Sequence, residues 1–432
     1  MTRGGFTRSG VSRLGAARGG VNAVAGAIAV SILLSGCSGA SVAAEGSSPA
    51  PSTGTAEGET PALTATPSAS PVPAVPAVPR VPAVPPVPGA TDLDDVYART
   101  RMHSMSLVDK VSLLFMVQVA GTDPAPMQAY LAANRPGGFL LLGSNVPATA
   151  DALAAQLSGV GTATGLSPLI SIDEEGGDVA RLGQDTFPGA DQLKSMPVQA
   201  TTDAFTQRAA LLTAAGVSVN FGTVADVTAN PSSFIFDRVL GTDPAAASER
   251  VAASVAAEND SVFSTLKHFP GHGETTGDSH TSIPSTEVTL DRWQIQDAPP
   301  FVAGISAGAG LVMFGHLSYS SVDTAPASLS LRWHQILRDD LHFTGVAVTD
   351  DMLMLQDSGL PQFADPSANA VAAVAAGNDL LLYDSAIDMA PPVAAIVAAV
   401  QAGTISEQQI DASATRVLQL QRVAWLRTHP AP

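Results

Sequence analysis

Val262-Phe263-Ser264-Thr265-Leu266-Lys267-His268 is a short apolar run that ends on a lysine and a histidine, and Phe269-Pro270-Gly271-His272-Gly273 turns the chain straight afterwards. A run of this length, rich in β-branched and aromatic residues and stopped by Pro and Gly, reads as a buried strand. The same pattern recurs at 138–143, 168–174 and 217–221 upstream, and at 311–316, 346–351 and 379–382 downstream. Helix-like segments lie between the runs, at 150–158, 202–215, 244–259, 299–307, 331–341, 367–376 and 389–402. Near-continuous apolar strands alternating with helices describe a parallel sheet covered by helices. Seven such units within residues 91–432 fit one α/β domain, a single (β/α)8 TIM-type barrel, better than an open sheet. No Gly-x-Gly-x-x-Gly follows a strand and no Gly-Lys-Ser/Thr loop occurs, which argues against a doubly wound nucleotide fold.

A barrel of this kind carries its chemistry at the C-terminal ends of its strands. Here the polar residues fall at those ends: Asp173, Lys267-His268, His316 and Asp350, with apolar interiors behind them. Asp350 closes Gly345-Val346-Ala347-Val348-Thr349 and so points toward the barrel mouth, as a nucleophile or an electrostatic stabiliser. The alternative duty, capping the next helix, suits Asp351 better and frees Asp350. Asp278 and His280 stand two apart on the loop after the Pro-Gly turn. A carboxylate that near an imidazole fixes its tautomer and stabilises its cation, the requirement for a general acid that becomes a general base. An ordinary solvated loop with an incidental Asp and His remains the alternative. Asp173 and Arg181 flank Glu174-Glu175-Gly176-Gly177, and Arg238 precedes Leu240-Gly241-Thr242-Asp243-Pro244. Carboxylates and guanidinium groups together suit a polyhydroxylated ligand, although Arg238 reads equally well as a helix-side salt bridge. His268, His272, Asp278, His280 and Asp350 form a conceivable metal set, but no His-x-His or His-Glu-x-x-His supports it, and neither a metal nor a cofactor is expected.

The first ninety residues are of another kind. Arg3, Arg8, Arg13 and Arg18 precede an apolar stretch at 21–34, and Leu34-Ser35-Gly36-Cys37 follows. This is the pattern of a secretory signal, 1–36, ending in a lipobox, and the chain's one cysteine sits where a thiol could be lipidated. Ordinary cleavage with a stray cysteine is the alternative. A multiply acylated Cys37 would hold the protein on a membrane surface. Residues 37–90 are Pro-, Ala- and Ser-rich, with proline near every third position in 71–88. Polyproline II rises about 3.1 Å per residue, so twenty such residues span on the order of 60 Å and act as a stiff, disordered tether. The net charge of −18 argues against nucleic acid as a partner, and one cysteine leaves no disulfide framework.

The run Lys267-His268-Phe269-Pro270-Gly271-His272-Gly273, followed by Asp278-Ser279-His280, resembles the signature of bacterial β-N-acetylglucosaminidases of glycoside hydrolase family 3. Ile172–Gly177, Val219–Val227, Asp237–Pro244, Pro326–Ser330 and Val348–Met352 are similar to that family's other motifs, in order. The resemblance implies retaining hydrolysis through a covalent glycosyl-enzyme. Asp350 matches the nucleophile, and His280 with Asp278 matches the unusual acid/base, on a Gly277 loop that would let His280 swing in over substrate. Asp173, Arg181, Arg238, Lys267 and His268 match residues that hold the sugar. Asp178 stands where the family usually has arginine, and Gly222 and Ala225 also depart from its pattern. The chain ends soon after its last predicted helix, so no second domain is expected. The expected activity is release of terminal N-acetylglucosamine from cell-wall fragments by a lipid-anchored, exported enzyme. The rivals are another exo-glycosidase of the family, such as a β-glucosidase, and a catalytically dead wall-binding lipoprotein.

Overall fold

The computed structural model describes residues 85–160, 166–275 and 277–429; the expected signal, Cys37 and the expected tether up to residue 84 lie outside them. Eight strands form a closed barrel: β1 (Phe115–Gln118), β2 (Gly138–Leu141), β3 (Leu169–Ile172), β4 (Val219–Val224), β5 (Phe263–Phe269), β6 (Leu311–Phe314), β7 (Val346–Asp351) and β8 (Leu380–Tyr383). They follow chain order round the ring, β8 closes on β1, and every neighbouring pair is parallel. Helices connect them, as the alternation predicts. All eight strands are buried almost throughout, which is why they read as continuous apolar runs rather than as alternating ones.

Three of the connecting helices begin on Asp-Pro. Asp123, Asp243 and Asp365 each accept a hydrogen bond from a backbone N–H of the first turn, and Pro124, Pro244 and Pro366 fill the first helical position. The carboxylate satisfies an orphan donor and proline loses no bond there, so the dipeptide is a reliable start signal. The segment 331–341 is less regular than its sequence predicts. Its helix Leu331–Gln335 passes into a π turn at Ile336–Asp340.

Strand β1 and the last helix are among the elements that the sequence leaves unmarked. Strand β1 follows the helix Leu107–Ser112 with no Gly or Pro between them, so nothing punctuates the change. The last helix, Glu407–Thr428, buries Ser413, Thr415, Gln419 and Gln421, which blurs its apolar stripe. Those amides carry structure: Gln419 Nε2 donates to Asp95 at 2.7 Å, Gln419 Oε1 accepts from the Val87 N–H at 3.0 Å, and Gln421 Nε2 donates to the Gly137 carbonyl at 2.9 Å. The chain therefore packs on the barrel already at Val87, ahead of its first helix, Asp92–His103.

An aromatic cluster fixes the turn after β5. Phe269 lies edge-on to Trp293, Phe301, Phe314 and Trp333 with ring centres 5.0–5.8 Å away. Trp293 Nε1 donates to the Pro270 carbonyl at 2.7 Å. Each such ring pair adds about 0.5–1.5 kcal/mol beyond its burial, so the segment carrying Lys267 and His268 is held rigidly from behind. The Lys267–His268 and Phe269–Pro270 peptides are both cis.

Candidate active site

A cleft of about 350 Å³ opens at the C-terminal mouth of the barrel. Asp350, His280, Asp173, Arg181, Arg238, Lys267 and His268, seven of the eight residues singled out from the sequence for substrate or catalysis, line it. Asp278, the eighth, is joined to it through His280.

The cationic wall is built by charge pairing. Lys267, on β5 and nearly fully buried, reaches Asp173 Oδ1 and Glu175 Oε1, each at 2.7 Å. Arg238 grips Glu175 with two parallel bonds, Nε to Oε2 at 2.9 Å and Nη2 to Oε1 at 2.7 Å. Arg238 is thus paired inside the cleft and not along a helix. Burial opposes the Glu175 anion, but Lys267 and Arg238 outweigh it and hold the carboxyl at about 2. Burial likewise opposes charge on Lys267, and Asp173 and Glu175 outweigh it in the same way.

Glu175 is a site residue that sequence reasoning did not single out. Its neighbour Glu174 faces the other way. Its Oε2 accepts from the Arg181 and Leu182 N–H groups at 3.0 and 3.2 Å, and burial beside Asp185 pushes its carboxyl up to about 8. The two residues separate because Gly176 and Gly177 turn the chain at once with φ of +83° and +63°, values that an L side chain rarely adopts. Asp178, at the tip of that turn, is exposed and makes no ion pair among the described residues. The departure at Gly222 has a steric cause, since a Cβ there would stand 2.3 Å from Asn220 Nδ2 and 2.5 Å from the Glu174 carbonyl.

A second residue the sequence did not single out is Asp226, fully buried just beyond β4. It accepts His268 Nδ1–H at 2.8 Å and the backbone N–H groups of His268 and His272 at 3.2 and 2.6 Å. Burial pushes its carboxyl up, and His268 and His272 outweigh that and hold it down. Through Asp226 the imidazole of His268 presents Nε2 to the cleft. The available signal was its place in the Val219–Val227 motif, but nothing in the local sequence distinguishes a buried anchor from a solvated strand end.

Asp350, the penultimate residue of β7, lies at the cleft floor. Burial works against its anion, but His268, His316, the Asp351 N–H and Lys267 outweigh burial and keep its carboxyl below the ordinary aspartate range. His316 is fully buried beside it. Its Nε2–H donates to the Asp351 carbonyl at 2.8 Å, so Nδ1 accepts from Ser328 Oγ at 2.6 Å. Asp351 does not cap a helix, contrary to expectation. Its Oδ1 accepts from the Leu353 and Asp384 N–H groups at 3.3 and 3.0 Å and ties the β7 and β8 loops together, while the following helix, Met354–Asp357, has no side-chain cap. Burial next to Asp384 pushes Asp351 up to about 7.

His280 lies on the cleft rim, its side chain 64% exposed. Asp278 Oδ1 takes both its backbone N–H, at 3.0 Å, and its Nδ1–H, at 2.6 Å. The pair is therefore formed in the folded chain, and Nε2 is left open toward solvent and cleft. Among the described residues no three His, Cys, Asp or Glu side chains group so as to hold a metal ion. The site thus offers an ionised carboxylate at Asp350, a carboxylate-braced imidazole at His280 and a paired cationic wall, a set able to displace and protonate an alkoxide leaving group from a hydroxylated substrate.

Known proteins show the same frame. β-Hexosaminidase A of Pseudoalteromonas piscicida is 30% identical over 318 residues, 66% of this chain and 53% of that protein. The family 3 β-N-acetylglucosaminidase of Paenibacillus sp. FPU-7 superposes with a TM-score of 0.70 at 30% identity, over 76% of this chain and 64% of that one. The β-N-acetylhexosaminidase of Beutenbergia cavernae gives 0.65 at 30% identity, over 74% and 99%. The chain thus spans about half of the Pseudoalteromonas protein and nearly all of the Beutenbergia one. The profile of the glycosyl hydrolase family 3 N-terminal domain matches residues 106–420, a span that holds the whole barrel and every residue of the cleft, and the chain belongs to that family.

Proposed function

We propose that the chain is a retaining, exo-acting β-N-acetylglucosaminidase that releases terminal N-acetylglucosamine from peptidoglycan fragments. The observation that carries this reading is the pairing of roles in one cleft: Asp350, held ionised, on the floor, and His280, braced by Asp278, on the rim. Asp350 attacks the anomeric carbon. The bond to the leaving oxygen breaks as His280 Nε2–H protonates it, and a glycosyl ester forms on Asp350. His280, now neutral, takes a proton from water, which attacks the same carbon and frees Asp350. Asp278 keeps Nδ1 protonated through both steps and balances the imidazolium. Asp173, Lys267, His268, Arg181 and Arg238 hold the sugar. The names of similar proteins, β-hexosaminidases and β-N-acetylglucosaminidases, support the sugar, and the signal-like and tether-like sequence of 1–90 supports a lipid-anchored enzyme facing the cell wall.

Mass spectrometry after treatment with a 2-fluoro or 5-fluoro glycosyl inactivator tests the chemistry. The sugar is expected on Asp350, and a label elsewhere or none overturns the mechanism. Paired assays with 4-nitrophenyl N-acetylglucosaminide and glucoside test the sugar, and preference for the glucoside overturns it. Replacing Cys37 by Ser is expected to release the protein from membranes; unchanged membrane association removes the anchor.

A further inference from the structure

We propose that His272 is a substrate-positioning residue: its imidazole is locked in the Nδ1–H tautomer, and its bare Nε2 accepts a hydrogen bond from a hydroxyl of the bound sugar. The lock follows from proton counting. Thr275 Oγ1 lies 2.9 Å from the His272 carbonyl and 2.8 Å from His272 Nδ1. A carbonyl only accepts, so the one hydroxyl proton goes to it, and Nδ1 must carry the proton it shares with Oγ1. Burial, partly opposed by Asp226, pushes the ring down to about 4, so a second proton does not occupy Nε2 near neutrality.

Nε2 is then a lone pair. The side chain is 1% exposed, lines the cleft, and Nε2 has no hydrogen-bond partner among the described residues. An unmet buried acceptor costs about 1–3 kcal/mol, so its donor comes from whatever fills the cleft. The ring cannot turn away to find one. Its backbone N–H is held by Asp226, and the Phe234 ring meets it edge-on with centres 4.6 Å apart. Lys267, Arg181 and Arg238 offer only donors to a ligand. A sugar hydroxyl both donates and accepts, so a neutral acceptor beside that cationic wall complements it.

This inference rests on the glycosidase reading, and its test separates the two. Wild type, His272→Asn and His272→Gln are assayed on 4-nitrophenyl N-acetylglucosaminide and its 3-, 4- and 6-deoxy analogues. Asn can keep the Thr275 contact and lacks an atom at Nε2; Gln can restore an acceptor there. One deoxy analogue is expected to lose about tenfold in kcat/KM with wild type, the worth of one hydrogen bond. His272→Asn is expected to lose about as much on the parent and show no further penalty for that analogue, while His272→Gln recovers both. If His272→Asn does not fold, His272→Phe takes its place. Identical deoxy penalties in wild type and variants overturn the inference, because His272 then only supports the loop through Thr275. If wild type prefers the glucoside, the proposed sugar fails, and the same cycle on deoxy glucosides still decides the role of His272.

Discussion

Neutralising Glu175 as Glu175→Gln is the sharpest test of how the cleft is built. Glu175 is 4% exposed and accepts three charge-assisted bonds, two from Arg238 and one from Lys267. Glutamine keeps the shape and one carbonyl oxygen, so it preserves at most one good acceptor and opposes its amide N–H to a cation. Losing two charged bonds at about 1.5 kcal/mol each gives about 3 kcal/mol, or about 100-fold in kcat/KM if Arg238 and Lys267 lose their aim in the transition state. Breaking a buried pair also costs about 3–5 kcal/mol of stability, because Arg238 loses the carboxylate it grips and Lys267 keeps only Asp173. Asp173→Asn is the control, since Asp173 is 20% exposed and meets Lys267 through a single bond. The assay is kcat/KM on 4-nitrophenyl N-acetylglucosaminide with thermal unfolding in parallel. Glu175→Gln should lose both activity and stability, and Asp173→Asn mainly activity. A folded Glu175→Gln enzyme within threefold of wild type would refute the claim that this carboxylate organises the wall.

Three further outcomes follow from the same geometry. His280→Ala should lower kcat/KM about 10²–10⁴-fold on a disaccharide, whose leaving oxygen needs a proton, and little on 4-nitrophenyl glycosides, whose phenolate does not; equal losses on both would remove His280 as the acid. Asp379 is fully buried between Arg338 and Arg416, at 2.6 and 2.8 Å, and accepts the Ala347 N–H at 2.9 Å. Asp379→Ala should cost about 3–5 kcal/mol in denaturant unfolding without changing KM in the surviving fold, and a loss below about 1 kcal/mol would sink this. Asp297 is buried with neither carboxyl oxygen hydrogen-bonded, and burial pushes it up to about 8 from an unfolded value of 3.8. Between those values the native state holds a proton that the unfolded chain has lost, so stability falls as pH rises, by up to about 1.4 kcal/mol per pH unit. Asp297→Asn should flatten that fall, and an unchanged slope would mean that Asp297 is ionised in the native state.

How much of this was legible in the sequence depended on what each residue faces. Strand ends were legible because a parallel barrel forces apolar interiors and exports its polar groups to one mouth, so Asp173, Lys267, His268 and Asp350 stood out by position. The Asp278–His280 pair was legible because its two members are two residues apart. Strand β1 and the final helix were not, since one lacks punctuation and the other buries amides. The instructive failure is Glu174-Glu175. As letters the two are the same, and the sequence marks neither for a role. In the fold one lies against Lys267 and Arg238 and is held at about 2, and the other is buried beside Asp185 and rises to about 8. Neither value belongs to glutamate: that of Glu175 is set by Lys267 and by Arg238, which arrives from 63 residues away, and that of Glu174 by burial beside Asp185. Asp226 repeats the lesson, because its role is conferred by His268 and His272, 42 and 46 residues further on. A residue that meets substrate can be found from its place on a strand. A residue that aims another can be found only once the ring has closed.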